Sequence, residues 1–99
     1  ISNSLEISIF RIIQEFINNS IKHGQATEVK IDLENKKDTL VLNLKDNGIG
    51  FNINDLELFR GHGLKNIQTR VESFKGDLTI NTTENNGTEF DIEFPIYLN

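Results

Sequence analysis

Cysteine is absent from all 99 residues. That excludes disulfides, thiolate zinc sites and a thiol nucleophile. Positive charge is scarce: 10 Lys and Arg stand against 15 Asp and Glu, a formal net charge of −5. This balance argues against a general nucleic-acid or anionic-membrane surface, while leaving room for a local basic pocket. No apolar run approaches the ~20 residues that cross a bilayer, and no secretory leader is visible. The expectation is a chain with no nucleic-acid partner and no direct membrane contact. Because it opens on Ile1 rather than Met, it is read as a piece of something longer, with any membrane anchor of the parent lying elsewhere. Internal repeats and low-complexity tracts are also missing.

What is present suffices for one domain. Hydrophobic residues make up 36% of the chain, with seven Phe among them, enough for a single core at this length. Leu5, Ile9, Ile12, Ile13, Phe16 and Ile17 recur at helical spacing, predicting a helix from about Leu5 to His23. Asn3 and Ser4 are the expected caps, with Glu6 three residues after Asn3, and Gly24 is the expected stop. Val29, Ile31 and Leu33 alternate with polar residues. After the turn at 35–38, Leu40, Leu42 and Leu44 alternate again, giving a hairpin. Residues 52–60 read as a polar loop. Leu64, Ile67, Val71 and Phe74 step by three and four, so a second helix is expected from near Gly63 to Gly76. Leu78, Ile80 and Thr82, a turn at 84–87, then Thr88, Phe90, Ile92 and Phe94 form a second hairpin. Two helices on one face of a sheet of four or more strands is the economical packing.

Asp46 is the most informative residue. It continues the parity of Leu40, Leu42 and Leu44, so its carboxylate aims at the core. Such a group costs roughly several kcal/mol unless something donates to it. Asp-Asn-Gly is also a common turn, but a turn alone does not explain the inward parity. Gly48 and Gly50 follow and let another group approach closely. An inward acid beside a permissive loop points to a pocket whose ligand supplies a donor.

Three weaker signals accompany it. Glu15, Asn19 and Lys22 share one sector of the first helix. A carboxylate, an amide oxygen and an ammonium suit hydrated Mg²⁺ and phosphates, although the same stripe is also an ordinary solvated face. Gly61-His62-Gly63 precedes the second helix, where free N–H groups and the dipole favour an anion; a flexible loop tip reads the same way. Thr88 shares parity with Phe90, so its hydroxyl faces inward, as would that of any strand Thr satisfied by backbone. His23 closes the first helix, where a cation suits the dipole. Neither histidine has a partner pattern for zinc or for a triad.

These residues resemble a known family. The run Gln14-Glu15, Asn19, Lys22-His23 is similar to the N box of the histidine-kinase ATP-binding domain. Residues 46–51 resemble its first glycine box, residues 61–67 its second, and Gly87-Thr88 its last motif. Arg11, the Lys22-His23 ending and residues 63–70 are most similar to the short-lid sensor kinases of nitrate, lipid-fluidity and cell-envelope signalling. The resemblance implies an α+β fold, a two-layer α/β sandwich with helices on one face of a mixed sheet (the Bergerat ATP-binding fold). It implies a Mg²⁺- and ATP-dependent protein histidine kinase of cytoplasmic setting, compatible with a parent anchored in the inner membrane. The γ-phosphate would pass to a histidine on a separate dimerisation domain, for relay to a response regulator. Asp46 would accept from the adenine amino group, and Asn19 with Glu15 would serve metal and catalysis. Lys22 and His23 would lie near the phosphates, Gly48, Gly50, Gly61 and Gly63 would be hinges of the ATP lid, His62 and Leu64 would bind ATP, and Thr88 would lie near adenine. The family's strand before the first helix and its phosphoaccepting histidine are not seen in residues 1–99. The same pocket would also serve a serine kinase of the anti-sigma type, or a non-catalytic nucleotide-binding module.

Overall fold

The computed structural model describes residues 2–51, 63–82 and 85–96. Helix α1 spans Asn3–Lys22. Its cap is Ser2, whose hydroxyl accepts from the Leu5 N–H at 3.1 Å, so the expected caps Asn3 and Ser4 lie just inside the helix. The extended backbone of Ser2 (φ −73°, ψ 154°) holds its oxygen over the free N–H groups of the first turn. At the other end the N–H groups of His23 and Gly24 both return to the Asn19 carbonyl at 2.9 Å, closing the last turn.

The first hairpin pairs β1 (Val29–Lys36) with β2 (Thr39–Asp46), and the turn between them places Lys37 in the left-handed region (φ 41°). Helix α2 covers Leu64–Ser73, entered from Gly63 at φ 69°. The second hairpin joins β3 (Asp77–Thr82) to β4 (Thr88–Pro95). The two hairpins meet along β2 and β4, giving the order β1-β2-β4-β3. The expected α+β architecture is borne out. The sheet was expected to be mixed. Among the described residues all three pairings are antiparallel, because two hairpins that share an antiparallel seam leave no parallel neighbours. The expected loop at 52–60 lies outside the described residues.

The core follows the alternation. Leu40, Leu42 and Leu44 on β2 and Phe90, Ile92 and Phe94 on β4 are buried beneath Ile9, Ile12 and Phe16 of α1 and Leu64, Ile67 and Val71 of α2. β1 departs from the pattern. Ile31 and Leu33 lie opposite Leu44 and Leu42, yet they remain 46% and 49% exposed. Periodicity gives the face of a strand but not how far the helix layer reaches, and β1 is the sheet's edge. Leu42→Ala is expected to cost ~2–5 kcal/mol of stability. Leu33→Ala should cost about 1 kcal/mol or less. Urea unfolding of both variants checks the contrast.

Candidate functional site

Asp46 is the last residue of β2, facing Val29 on one side and Thr88 on the other. It is only 8% exposed. Its Oδ1 accepts from the backbone N–H of Gly48 at 2.9 Å and of Thr88 at 3.1 Å, and its Oδ2 accepts from the Ser20 hydroxyl at 2.7 Å. A buried carboxylate is tolerable only when such donors replace water. The three donors come from α1, from the turn after β2 and from the start of β4. The acid therefore ties together the three segments that surround it.

The local sequence makes that convergence possible. Asn47 accepts from the N–H groups of Thr27 (2.9 Å) and Glu28 (3.0 Å) and donates to the Thr27 hydroxyl (2.9 Å). The turn after β2 is thus clamped to the segment after α1. Ile49 N–H donates to the Gly24 carbonyl at 2.8 Å, and a Cβ on Gly48 would collide with that same carbonyl. Gly87 has φ 77°, and a Cβ there would collide with the Asp46 carbonyl. Thr82 accepts from the Phe51 N–H at 3.0 Å and shares a hydroxyl contact of 2.9 Å with Thr88. Asn85 N–H donates to the Ile49 carbonyl.

These constraints enclose a cavity of about 110 Å³, against the roughly 10–15 Å³ that admits one water. Phe16 and Phe90, in edge contact with ring centroids 5.0 Å apart, contribute apolar wall together with Ile49, Phe51 and Leu64. Polar wall comes from Asn19, Ser20, His23, Asp46 and Thr88. The Nδ2 of Asn19 is buried without a hydrogen-bond partner. One amide nitrogen at the cavity wall is therefore left without a partner among the described residues.

The expected site residues divide into groups. Asn19, His23, Asp46, Gly50, Leu64 and Thr88 line one cavity, and Gly48 stands behind it with its N–H on Asp46. Glu15 does not line it. It lies in a neighbouring groove between α1 and α2, with Arg11 and Arg70, and its carboxylate rests where a Cβ of Gly63 would be. Lys22 is exposed and lines neither. Gly61 and His62 lie outside the described residues. Sequence reasoning missed Ser20 and Phe51. Ser20 carried a usable signal, since it is a polar residue on the apolar arc of α1, one turn beyond Phe16. Phe51 follows Gly50 with no periodic pattern to mark it.

A buried acid, an adjacent glycine turn and an asparagine whose Nδ2 has no partner among the described residues surround one cavity. The family model described as histidine kinase-, DNA gyrase B- and HSP90-like ATPase matches residues 4–98. The chain belongs to this ATPase family. It is 35% identical over 96 residues to the sensor protein VraS of Staphylococcus aureus, covering 97% of this chain and 27% of VraS. It is 39% identical over 92 residues to the sensor histidine kinase ComP of Bacillus subtilis, covering 92% of this chain and 12% of ComP. The chain thus spans about a quarter or less of these relatives. Its fold is similar to the ATP-binding domain of PrrB from Mycobacterium tuberculosis, with TM-score 0.78 and 19% identity over 93% of this chain and 69% of that one.

Three glycines of this ATPase fold have positive φ, Gly50, Gly63 and Gly87, and the last two are not equivalent. Gly63→Ala meets only the flexible end of Glu15 and should cost roughly the 1–2 kcal/mol of a left-handed backbone. Gly87→Ala also meets the backbone carbonyl of Asp46 and should cost more. Chemical denaturation of the two variants gives the comparison.

Proposed function

We propose that this chain is the catalytic ATP-binding domain of a sensor histidine kinase, residues 1–99 of a longer protein. It binds Mg²⁺-ATP and presents the γ-phosphate to a histidine on a separate dimerisation domain, for relay to a response regulator. The observation that carries this reading is the buried carboxylate of Asp46 in one cavity with the unengaged amide of Asn19. The sensor names of VraS and ComP support it, as does the small share of each that the chain matches. No helix among the described residues is long and apolar enough to cross a membrane. We place the domain on the cytoplasmic side of a parent kinase anchored in the inner membrane.

The residues divide the work by chemistry. Asp46 accepts a hydrogen bond from the exocyclic amino group of adenine. The apolar walls of Phe16, Phe90, Ile49 and Leu64 take the faces and edge of the ring, and Thr88 adds a hydroxyl beside it. His23 and Lys22, at the end of α1, bring donors towards the phosphate side. Gly63 and Leu64, at the start of α2, border the phosphates, a role that the family resemblance also implies for Gly61 and His62.

Asn19 and Glu15, one helical turn apart on the same side of α1, would hold Mg²⁺ through oxygen, Asn19 by its amide Oδ1, while its buried Nδ2, which has no partner among the described residues, would remain free to donate. Among the described residues no three His, Asp or Glu side chains gather into a cage. A cation held by one or two oxygen ligands, with substrate phosphates and water completing its shell, is the usual magnesium arrangement. When bound, the ion supplies neutralisation of the charge on the phosphate oxygens. Glu15, which lines the groove beside the cavity, would orient the incoming imidazole. Its nitrogen bonds the γ-phosphorus as the bond to the bridging oxygen breaks and ADP departs. Such transfer depends chiefly on positioning and charge.

Two experiments test this reading. Guanine presents an acceptor oxygen where adenine presents an amine, so it would leave the one remaining acceptor position of Asp46 unfilled and set two acceptors against each other. The cost is ~1–3 kcal/mol, roughly tenfold to a hundredfold in affinity. Titration calorimetry should show ATP binding above GTP by about that factor, with Asp46→Asn weakening ATP. Equal affinities for the two nucleotides would exclude the assignment of Asp46. For Asn19→Ala, joined to the dimerisation domain of its parent kinase, Mg²⁺-dependent phosphotransfer should be lost while part of the nucleotide binding survives. Full transfer by that variant, followed with γ-labelled ATP, would remove Asn19 from the site.

A further inference from the structure

The mechanism above makes no use of Ser20, although it is 2% exposed and lines the same cavity as Asp46. A serine within a helix, as Ser20 is in the last turn of α1, ordinarily returns its hydroxyl to the carbonyl four residues earlier or turns it to solvent. Here the hydroxyl crosses to another element and donates to Asp46 Oδ2 at 2.7 Å.

The consequence follows from counting acceptor positions. An ionised carboxylate offers about four, two on each oxygen. Oδ1 is filled by two backbone donors, Gly48 at 2.9 Å and Thr88 at 3.1 Å. Oδ2 holds Ser20, and among the described residues no other donor reaches Asp46. One position is left. The contacts also fix the plane of the carboxylate. Backbone alone would hold one oxygen and leave the other to turn and to collect water, whereas Ser20 pins the second oxygen from the α1 side.

We propose that Ser20 is a specificity-determining positioning residue: its hydroxyl locks Oδ2 of Asp46 so that the carboxylate offers the ligand a single, oriented acceptor for one amine hydrogen. The proposal rests on the reading that Asp46 receives the amino group of adenine. Ser20 itself touches no reacting atom.

The test uses two nucleotides that differ only in that amine, ATP and purine riboside 5′-triphosphate, each with Mg²⁺. Titration calorimetry is run on the wild-type chain, on Ser20→Ala, and on Ser20→Cys, which fills nearly the same space with a weak donor. In the wild type ATP should bind the more tightly. In both variants that preference should fall about tenfold, with affinity for purine riboside triphosphate unchanged. An undiminished preference, or an equal loss for both nucleotides, would overturn the proposal and leave Ser20 a packing residue. If only Ser20→Ala lost the preference, the lost volume rather than the hydrogen bond would be responsible, and the proposal would again fail. A wild-type chain that does not distinguish the two nucleotides would instead remove the reading of Asp46 on which this rests.

Discussion

A carboxylate placed at the inner end of a central strand has to be supplied with donors, and much of the cavity's construction meets that demand. Asp46 takes one hydrogen bond from α1, one from its own turn and one from β4. None of those donors is close in sequence to all the others. Only when the helix lies across the sheet and the two hairpins meet along β2 and β4 are they brought within reach. The polar requirement and the apolar core thus call for the same arrangement: α1 buries Ile12 and Phe16 against the strands that carry Leu44 and Phe90.

Small residues and short hydrogen-bonded links make that arrangement rigid close to the acid. The side chain of Asn47 binds the turn after β2 to the segment after α1 through three hydrogen bonds. Gly48 and Gly87 sit where a side chain would strike backbone. Thr82 holds both Phe51 and Thr88. The cavity wall beside Asp46 is therefore built largely from backbone that cannot shift without breaking several bonds at once. Asn19 is the contrast, a cavity-wall amide with a buried nitrogen that nothing among the described residues engages. Rigid satisfaction of one polar group beside an unengaged one is what distinguishes a binding pocket from a packed core, and it is why the two are read together.

Much of this was legible in the chain. The apolar spacing in α1 and α2 and the alternation in β2 and β4 located the elements to within a few residues, because a half-buried helix and a half-buried strand have fixed periods. The parity of Asp46 with Leu42 and Leu44 announced a buried acid before any partner was known. Other features were less legible. Ser2 rather than Asn3 caps α1, since several adjacent polar residues can cap and backbone geometry selects among them. Ile31 and Leu33 alternate as well as Leu42 and Leu44 do, yet stay half exposed at the sheet's edge. Glu15 and Asn19 share a helical face, but one borders the groove with α2 and the other the cavity.

By itself the sequence determined the periodic elements, the inward aspartate and the glycines around it, because these depend on side-chain parity and local backbone freedom. The tertiary structure decided which donors reach Asp46, and it alone revealed Ser20 across 26 positions of chain. It also separated Glu15 and Lys22 from the cavity that holds Asn19. The reason is physical: periodicity fixes the direction in which a side chain points, whereas its partner depends on which distant backbone the packing brings opposite.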